Sequence, residues 1–569
     1  MNRPTPAIVA QGSVRRLPRA ALLLLAISYV LAGFIGREPW RNADITAFGY
    51  MTGLLQAGAD WFSPKLMDLN PEVDALLPYW LGAWAMRFAP SGIPPDFAVR
   101  IPFGVMLGMA MLATWYATYY LARNPTAQPV AFAFGGEASP PDYARALADG
   151  GLLAFIACLG LAQLSHETTP ALAQLCFTSL CFFAFAALPY RTILPLIAGA
   201  TGLAGLSLSG APAMAVLFGV GGAVAYGADQ WRVTDQPSVA RCRVAGMVIF
   251  TASATLLATL LDLWHWRIEL SDLSVTKWKS VGRLLLWFTW PAWPLICWTL
   301  WRWRRQLGSR NPSLHLSLPL WFVAVSVGTT IATASTDRSL LLALPALAAL
   351  AAFSLPTLGR SVSALIDWFT LLFFSGCALI IWIIWLAMQT GMPKQPAANV
   401  ARLAPGFEHS FSFAPFVIAL LATFAWVWLV KWRVGRHRAA IWKSLVLPAG
   451  GAVLCWLLLT TLWMPLLNYV RGDVPLAQRI IAIVESPSCV AAHGLNRNRI
   501  AALQFYGQLK MEPAGAATRC PWLFVERDAL GSLSTVVNMK LWLLDSTVRH
   551  PADREGNLYL FRRKAGYSP

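Results

Sequence analysis

Arg15-Arg16-Leu17-Pro18-Arg19, the run from Ala20 to Phe34, and then Arg37-Glu38-Pro39-Trp40-Arg41-Asn42-Ala43-Asp44 decide how this chain is read. Three arginines precede an uncharged apolar run, and a polar segment with two acids follows it. No small-residue cleavage site lies behind the run, so it reads as an uncleaved first membrane span rather than a signal peptide. The basic flank puts the N-terminus in the cytoplasm, and Arg37 emerges on the opposite face.

The same pattern repeats outward from there. Spans are predicted near 19–36, 98–121, 150–164, 169–188, 192–209, 211–227, 244–262, 282–300, 316–333, 339–355, 364–390, 412–431 and 441–463, about thirteen in all, each near the length that crosses the hydrocarbon layer as a helix. Threading them alternately makes every inner loop basic, from Arg123 and Arg145 through Arg191 and Arg243 to Arg433 and Lys443. An odd count places the C-terminal segment outside. The fold class predicted is an α-helical polytopic membrane domain over residues 1–463, its first outer loop at 37–97, with an extracytoplasmic α/β domain over 464–569.

Composition agrees. Of 569 residues, 57% are hydrophobic and 13% charged, about half the charged share of an ordinary soluble domain. The net charge of +18 lies in short clusters between apolar runs, which excludes a nucleic-acid-binding face. Of nine cysteines, only Cys489 and Cys520 fall in the tail, where an oxidising compartment makes them candidates for one disulfide. The tail reads as strands at 489–492, 522–526, 541–544 and 558–561, with a helix from Asn498 to Leu509.

Three outer segments are too long to be simple connections: 37–97, 263–281 and the tail. In the first, Glu38 and Asp44 are carboxylates held close to the membrane surface. A base at that depth can meet a substrate whose reactive phosphate lies at headgroup level. Solvation of the loop is the plainer alternative.

The segment resembles the GT-C glycosyltransferases that use polyprenyl-phosphate sugars, in particular the protein O-mannosyltransferases and the bacterial aminoarabinose lipid A transferases. In those proteins a first span leads into an Asp-Glu motif on a helix ending in Gly-Asp-Trp, and a Pro-rich segment ending in Tyr-Trp follows. Here Asp44 stands sixteen residues before Asp60-Trp61 and takes the place of that first Asp, with Ile45 where the second acid often stands. Ala59-Asp60-Trp61 stands for Gly-Asp-Trp, and Leu77-Pro78-Tyr79-Trp80 closes the segment. The family's Glu-Lys-Pro-Pro is replaced by Val73-Asp74-Ala75-Leu76, so its lysine becomes Asp74.

The resemblance implies an inverting transfer of a sugar from a polyprenyl-phosphate donor, undecaprenyl being the expected carrier. The acceptor would be lipid A, a protein or a glycan at the outer face of a bacterial cytoplasmic (inner) membrane. Asp44 is expected as general base. Glu167, in Ser165-His166-Glu167-Thr168, matches the acid of the family's second outer loop and is expected to assist, unless His166-Glu167 merely caps the fourth span. Glu38, Asp74, Tyr79 and His166 are further substrate-binding candidates. Cations for the donor phosphate are sought at Arg267, Lys277 and Lys279, in an outer loop that is basic against the positive-inside trend, and at Arg338. No cofactor is implied with certainty; a divalent cation is an option, with His265 beside Asp74 or Glu72 as the weaker ligand reading. Two other functions stand against this one: an O-antigen-type ligase or polymerase, and a lipid-linked-sugar transporter or flippase, which calls for charges at mid-span and inverted repeats.

Overall fold

The computed structural model describes residues 5–233, 237–264, 275–308, 313–333, 337–434, 440–485, 487–516, 518–553 and 556–564. Long apolar runs must satisfy their main-chain polar groups internally, so they form helices. Among the described residues, eight helices are long and apolar enough to cross a membrane, the longest being Arg360–Thr390. Shorter apolar helices at Arg19–Phe34, Ile193–Leu208 and Leu344–Thr357 occupy three more of the predicted positions.

The first eight helices are α1 (Arg19–Phe34), α2 (Ala43–Gly53), α3 (Leu77–Phe88), α4 (Pro95–Ala122), α5 (Pro140–Ala157), α6 (Leu161–Leu164), α7 (Pro170–Ala187) and α8 (Ile193–Leu208). The third span, predicted over 150–164, is α5, which starts ten residues earlier. Beyond Ala157 the chain turns back, with Leu159 and Gly160 N–H donating to the carbonyls of Trp290 and Phe288 at 3.0 Å. The apolar side chains from Leu152 to Leu164 are buried mainly against protein, so hydrophobicity alone marks no helix end there. The span predicted over 282–300 is two helices, Val275–Phe288 and Ala292–Arg302, interrupted at Thr289–Pro291. Pro291 has no N–H to continue the ladder.

The tail opens with two helices, Met464–Arg471 and Val474–Val484, and then forms a five-stranded sheet of order β2-β1-β3-β5-β4. β1 (Val490–His493) pairs in parallel with β2 (Met511–Pro513) and β3 (Trp522–Glu526); β4 (Trp542–Arg549) and β5 (Asn557–Arg563) complete it antiparallel. Four strands match the prediction. β2, only three residues long, carries too little alternation to be read. Cys489 and Cys520 are disulfide-bonded.

The helix Arg497–Phe505, the connection from β1 to β2, lies directly on α2. Phe48 meets Phe505 edge-on at 4.6 Å between centroids, and a Cβ at Gly49 would fall 2.5 Å from the Cβ of Ala501. The first outer loop is thus sandwiched between the bundle and the tail. Gly49→Val is expected to push the tail off α2 at a cost of about 1–3 kcal/mol, read as a lower thermal unfolding midpoint and faster proteolysis within 487–564.

Candidate functional site

Asn42, with φ 73° and ψ −124°, takes a positive-φ conformation outside the left-handed helical well and turns the chain from the first span into α2. Asp44 then sits in the first turn of α2, where the free N–H groups of the helix favour an anion. Its carboxylate is 1% exposed. Oδ1 accepts two bonds from Thr168, from the main-chain N–H and from the hydroxyl, both 2.8 Å. Oδ2 has longer ones, from Trp40 N–H at 3.2 Å and from Arg37 Nη2 at 3.4 Å. Asp44 therefore joins the first outer loop to the Ser165–Thr169 turn, which ends where Pro170 opens α7 without needing a donated N–H.

Glu167 lies in that turn, also buried, and accepts from Arg338 Nη2 at 2.8 Å through Oε2. Its Oε1 has only a 3.5 Å contact from Gln163 Nε2. Burial pushes the Glu167 carboxyl up, with Arg338 opposing. The two predicted acids and one predicted cation thus come together on one face.

A second cation was not anticipated. Arg37 is completely buried between the acids, with its guanidinium carbon 3.8 Å above the Trp40 ring. Its Nε and Nη1 are buried and have no hydrogen-bond partner among the described residues. Burial pulls its pKa down, and the Asp44 and Glu167 charges oppose that shift. Arg100, near the start of α4, is 2% exposed, donates from Nε to the Asp96 carbonyl at 2.9 Å, and has no partner for Nη1 among the described residues. Arg37 was visible in the sequence, but nothing in an Arg-Glu-Pro-Trp string foretells that its arginine turns inward.

The tail closes the third side. Asn468 accepts from Glu38 N–H at 3.2 Å and from Trp40 Nε1 at 3.0 Å, and donates to the Gly36 carbonyl at 2.9 Å. Arg41 N–H donates to the Arg471 carbonyl at 2.7 Å, and the Arg41 side chain reaches the Val470 carbonyl and Asp553. Glu38 is half-buried, its carboxyl pushed up by burial and by Asp96. It stands at the mouth of an apolar groove of about 1280 Å³ that runs between α1 and the helices Phe413–Val434 and Lys443–Leu462, with Asn468 and Tyr469 at the same end.

The remaining candidates are dispersed. Tyr79 is buried against Tyr50, and Asp74 is half-buried, its carbonyl facing Gly210. The two motif tryptophans meet, Trp80 Nε1 donating to the Trp61 carbonyl at 2.7 Å. His166 fills a close approach between α1 and α6: both ring nitrogens face main-chain carbonyls, Nε2 that of Tyr29 at 3.0 Å and Nδ1 that of Ala162, and any Cβ at Gly33 would collide with the ring. That is a packing role rather than an open binding edge, and burial pulls its pKa down to about 4. Lys279 is exposed on the helix Val275–Phe288. His265, Arg267 and the side chain of Lys277 lie outside the described residues. Glu72 is exposed and paired with Arg497 at 3.3 Å. Among the described residues, the one grouping of metal-ligand type is Cys489, Glu512 and Cys520, whose two cysteines are bonded to each other.

The helical bundle with its small sheet domain has the GT-C fold. Two crystal structures of ArnT from Cupriavidus metallidurans match it over nearly the whole length. The one bound to undecaprenyl phosphate has a TM-score of 0.58 at 13% identity over 97% of this chain and 99% of its own. The apo form has a TM-score of 0.57 at 13% identity over 95% and 98%. No family model matches the chain, and no curated protein matches it by sequence. The chain is a multi-pass membrane protein with the ArnT-like form of that fold.

Two predictions follow from these contacts. Arg338→Ala leaves Glu167 buried without its cation and is expected to cost about 1–2 kcal/mol, since Arg338 itself is partly solvated; Glu167→Gln in the same chain should recover much of this, read by a double-mutant cycle on thermal unfolding. Burial raises Asp473, which faces Arg41, Arg499 and Asp553 with His550 nearby, to about 7. A raised carboxyl favours the folded state while protonated, so this contribution is full below about pH 4. It is lost as pH rises to about 7. Asp473→Asn should flatten the stability profile across that window, measured by melting at successive pH values.

Proposed function

We propose that the protein is a glycosyltransferase that moves a sugar from a polyprenyl-phosphate donor, undecaprenyl being the expected carrier, to an acceptor at the outer face of the bacterial cytoplasmic membrane. The observation that carries the reading is the buried pair Asp44 and Glu167 flanking Arg37, at the lipid-headgroup end of a bundle with the ArnT fold. That fold was solved in ArnT with undecaprenyl phosphate bound, which supports a carrier of this class here.

Asp44 is proposed as the base. Thr168 anchors Oδ1 through two short bonds, so Oδ2, held only by longer ones, is the oxygen that exchanges a partner for the acceptor's proton. Glu167, fixed by Arg338, orients the acceptor beside it. Leaving phosphate needs cationic donors in a water-poor site. Among the described residues Arg37 offers two N–H-bearing atoms with no partner and Arg100 a third, so these two are proposed for the phosphate, with Arg338 beside them. The apolar groove ending at Glu38 is of a size and lining to hold a lipid chain of one substrate. Residues 464–569 are proposed as a periplasmic domain, a placement the disulfide favours, with the N-terminus cytoplasmic.

The ion pairs of the site lie at helix ends rather than at mid-span, which disfavours a transporter or flippase. In proteoliposomes given undecaprenyl-phosphate sugars and envelope fractions, Asp44→Asn is expected to lower transfer by about 10²–10⁴-fold. Arg37→Gln should act mainly on the chemical step, seen in kcat. A wild-type protein that transfers no sugar to any fraction sinks the assignment, and an Asp44→Asn protein as active as wild type removes Asp44 as base.

A further inference from the structure

The other end of the bundle holds a second polar cavity, of about 580 Å³, lined by residues including Trp115, Tyr119, Arg123, Arg145, Tyr190 and Arg191. Arg100 stands at the Asp44 end of α4 and Arg123 just beyond its far end. The 23 residue steps from one to the other span about 35 Å, roughly the thickness of the hydrocarbon layer. The cavity therefore belongs to the opposite membrane surface and to none of the chemistry above.

Its walls hold a cation in place. Trp115 and Tyr119 stack with centroids 5.7 Å apart and planes 5° apart, and Tyr120 and Tyr190 stack at 5.5 Å and 24°. The Arg123 guanidinium carbon lies 5.3 Å from the Tyr190 centroid and 5.9 Å from that of Tyr119. Trp115 is fixed in turn by donating from Nε1 to Asp149 at 2.9 Å. Arg145 is neutralised by Asp142 at 3.1 Å. Among the described residues no carboxylate forms an ion pair with Arg123 or Arg191, the buried Asp229 being the acid that acts on the neighbouring Tyr190, so two guanidinium groups face one cavity.

The surface of α4 supplies the second observation. Val105, Met109, Leu112 and Tyr116 recur every three or four residues on one side of the helix and are 61%, 37%, 58% and 41% exposed. This apolar stripe runs along the lipid-facing side and ends at Tyr116, which itself lines the cavity. A soluble anion has no use for such a stripe. A molecule with a phosphate at one end and hydrocarbon chains at the other fits both.

We propose that this cavity binds the phosphodiester headgroup of an anionic glycerophospholipid, with Arg123 and Arg191 on the phosphate and the acyl chains lying along Val105 to Tyr116. Guanidinium forks suit phosphate oxygens, and basic pockets between membrane helices take such headgroups. Tyr116 and Tyr119 stand at the depth where aromatic rings with polar tips gather.

The test uses the full chain, purified in detergent and titrated with phosphatidylglycerol or phosphatidylcholine, with bound lipid counted by native mass spectrometry. Wild type is expected to retain one more phosphatidylglycerol than the Arg123→Gln/Arg191→Gln protein, and no matching phosphatidylcholine. Each single substitution should weaken retention about fivefold, whereas Arg360→Gln, exposed elsewhere, should leave the count unchanged. Arg191 is exposed, so Arg191→Gln alone decides the matter if the double variant fails to fold. Equal retention by wild type and Arg191→Gln overturns the proposal, as does equal retention of phosphatidylcholine. Inorganic phosphate that binds as tightly as the lipid, with the same arginine dependence, also overturns it and makes the site one for a soluble anion.

Discussion

An ionised carboxylate cannot be taken out of water unless its oxygens are met by donors, and at Asp44 those donors come from two separate stretches of chain. Thr168 supplies two, and the Arg37–Trp40 corner supplies two more. Meeting that requirement brings the second outer turn onto the first. It also pulls Arg37 inward, where it stands between two acids and on an indole face. The buried polar centre at the end of this otherwise apolar bundle follows from the need to accommodate one charge.

The arginine so buried is under-satisfied. Among the described residues two of its nitrogens lack an acceptor, and Arg100 nearby lacks another. Buried donors without partners are rare in folded proteins because each forfeits its hydration.

What could be read from the sequence divides along physical lines. Membrane spans announce themselves because lipid imposes both composition and length, so most predicted positions carry a helix. Failure came at α5 and at 289–291, where apolar residues face protein and hydrophobicity loses its meaning as a depth gauge. Asp44 and Glu167 were legible because a motif and a threading rule placed them on one face. Arg37, Thr168 and Asn468 were not, since their importance lies in which way a side chain turns and in what arrives from elsewhere. His166 shows the reverse: a histidine beside an acid looks chemical on paper, yet it fills a notch left by Gly33.

Asn468 and Arg41 join stretches more than 400 positions apart in the chain. A ribosome feeding this protein into a membrane delivers the Glu38–Asp44 corner almost at once and its clamp only near the end of synthesis. Throughout that interval the corner lacks one wall, and the bundle behind it is incomplete. Completion of the corner is thus timed by translation, and a chain cut short before Met464 is left without the clamp.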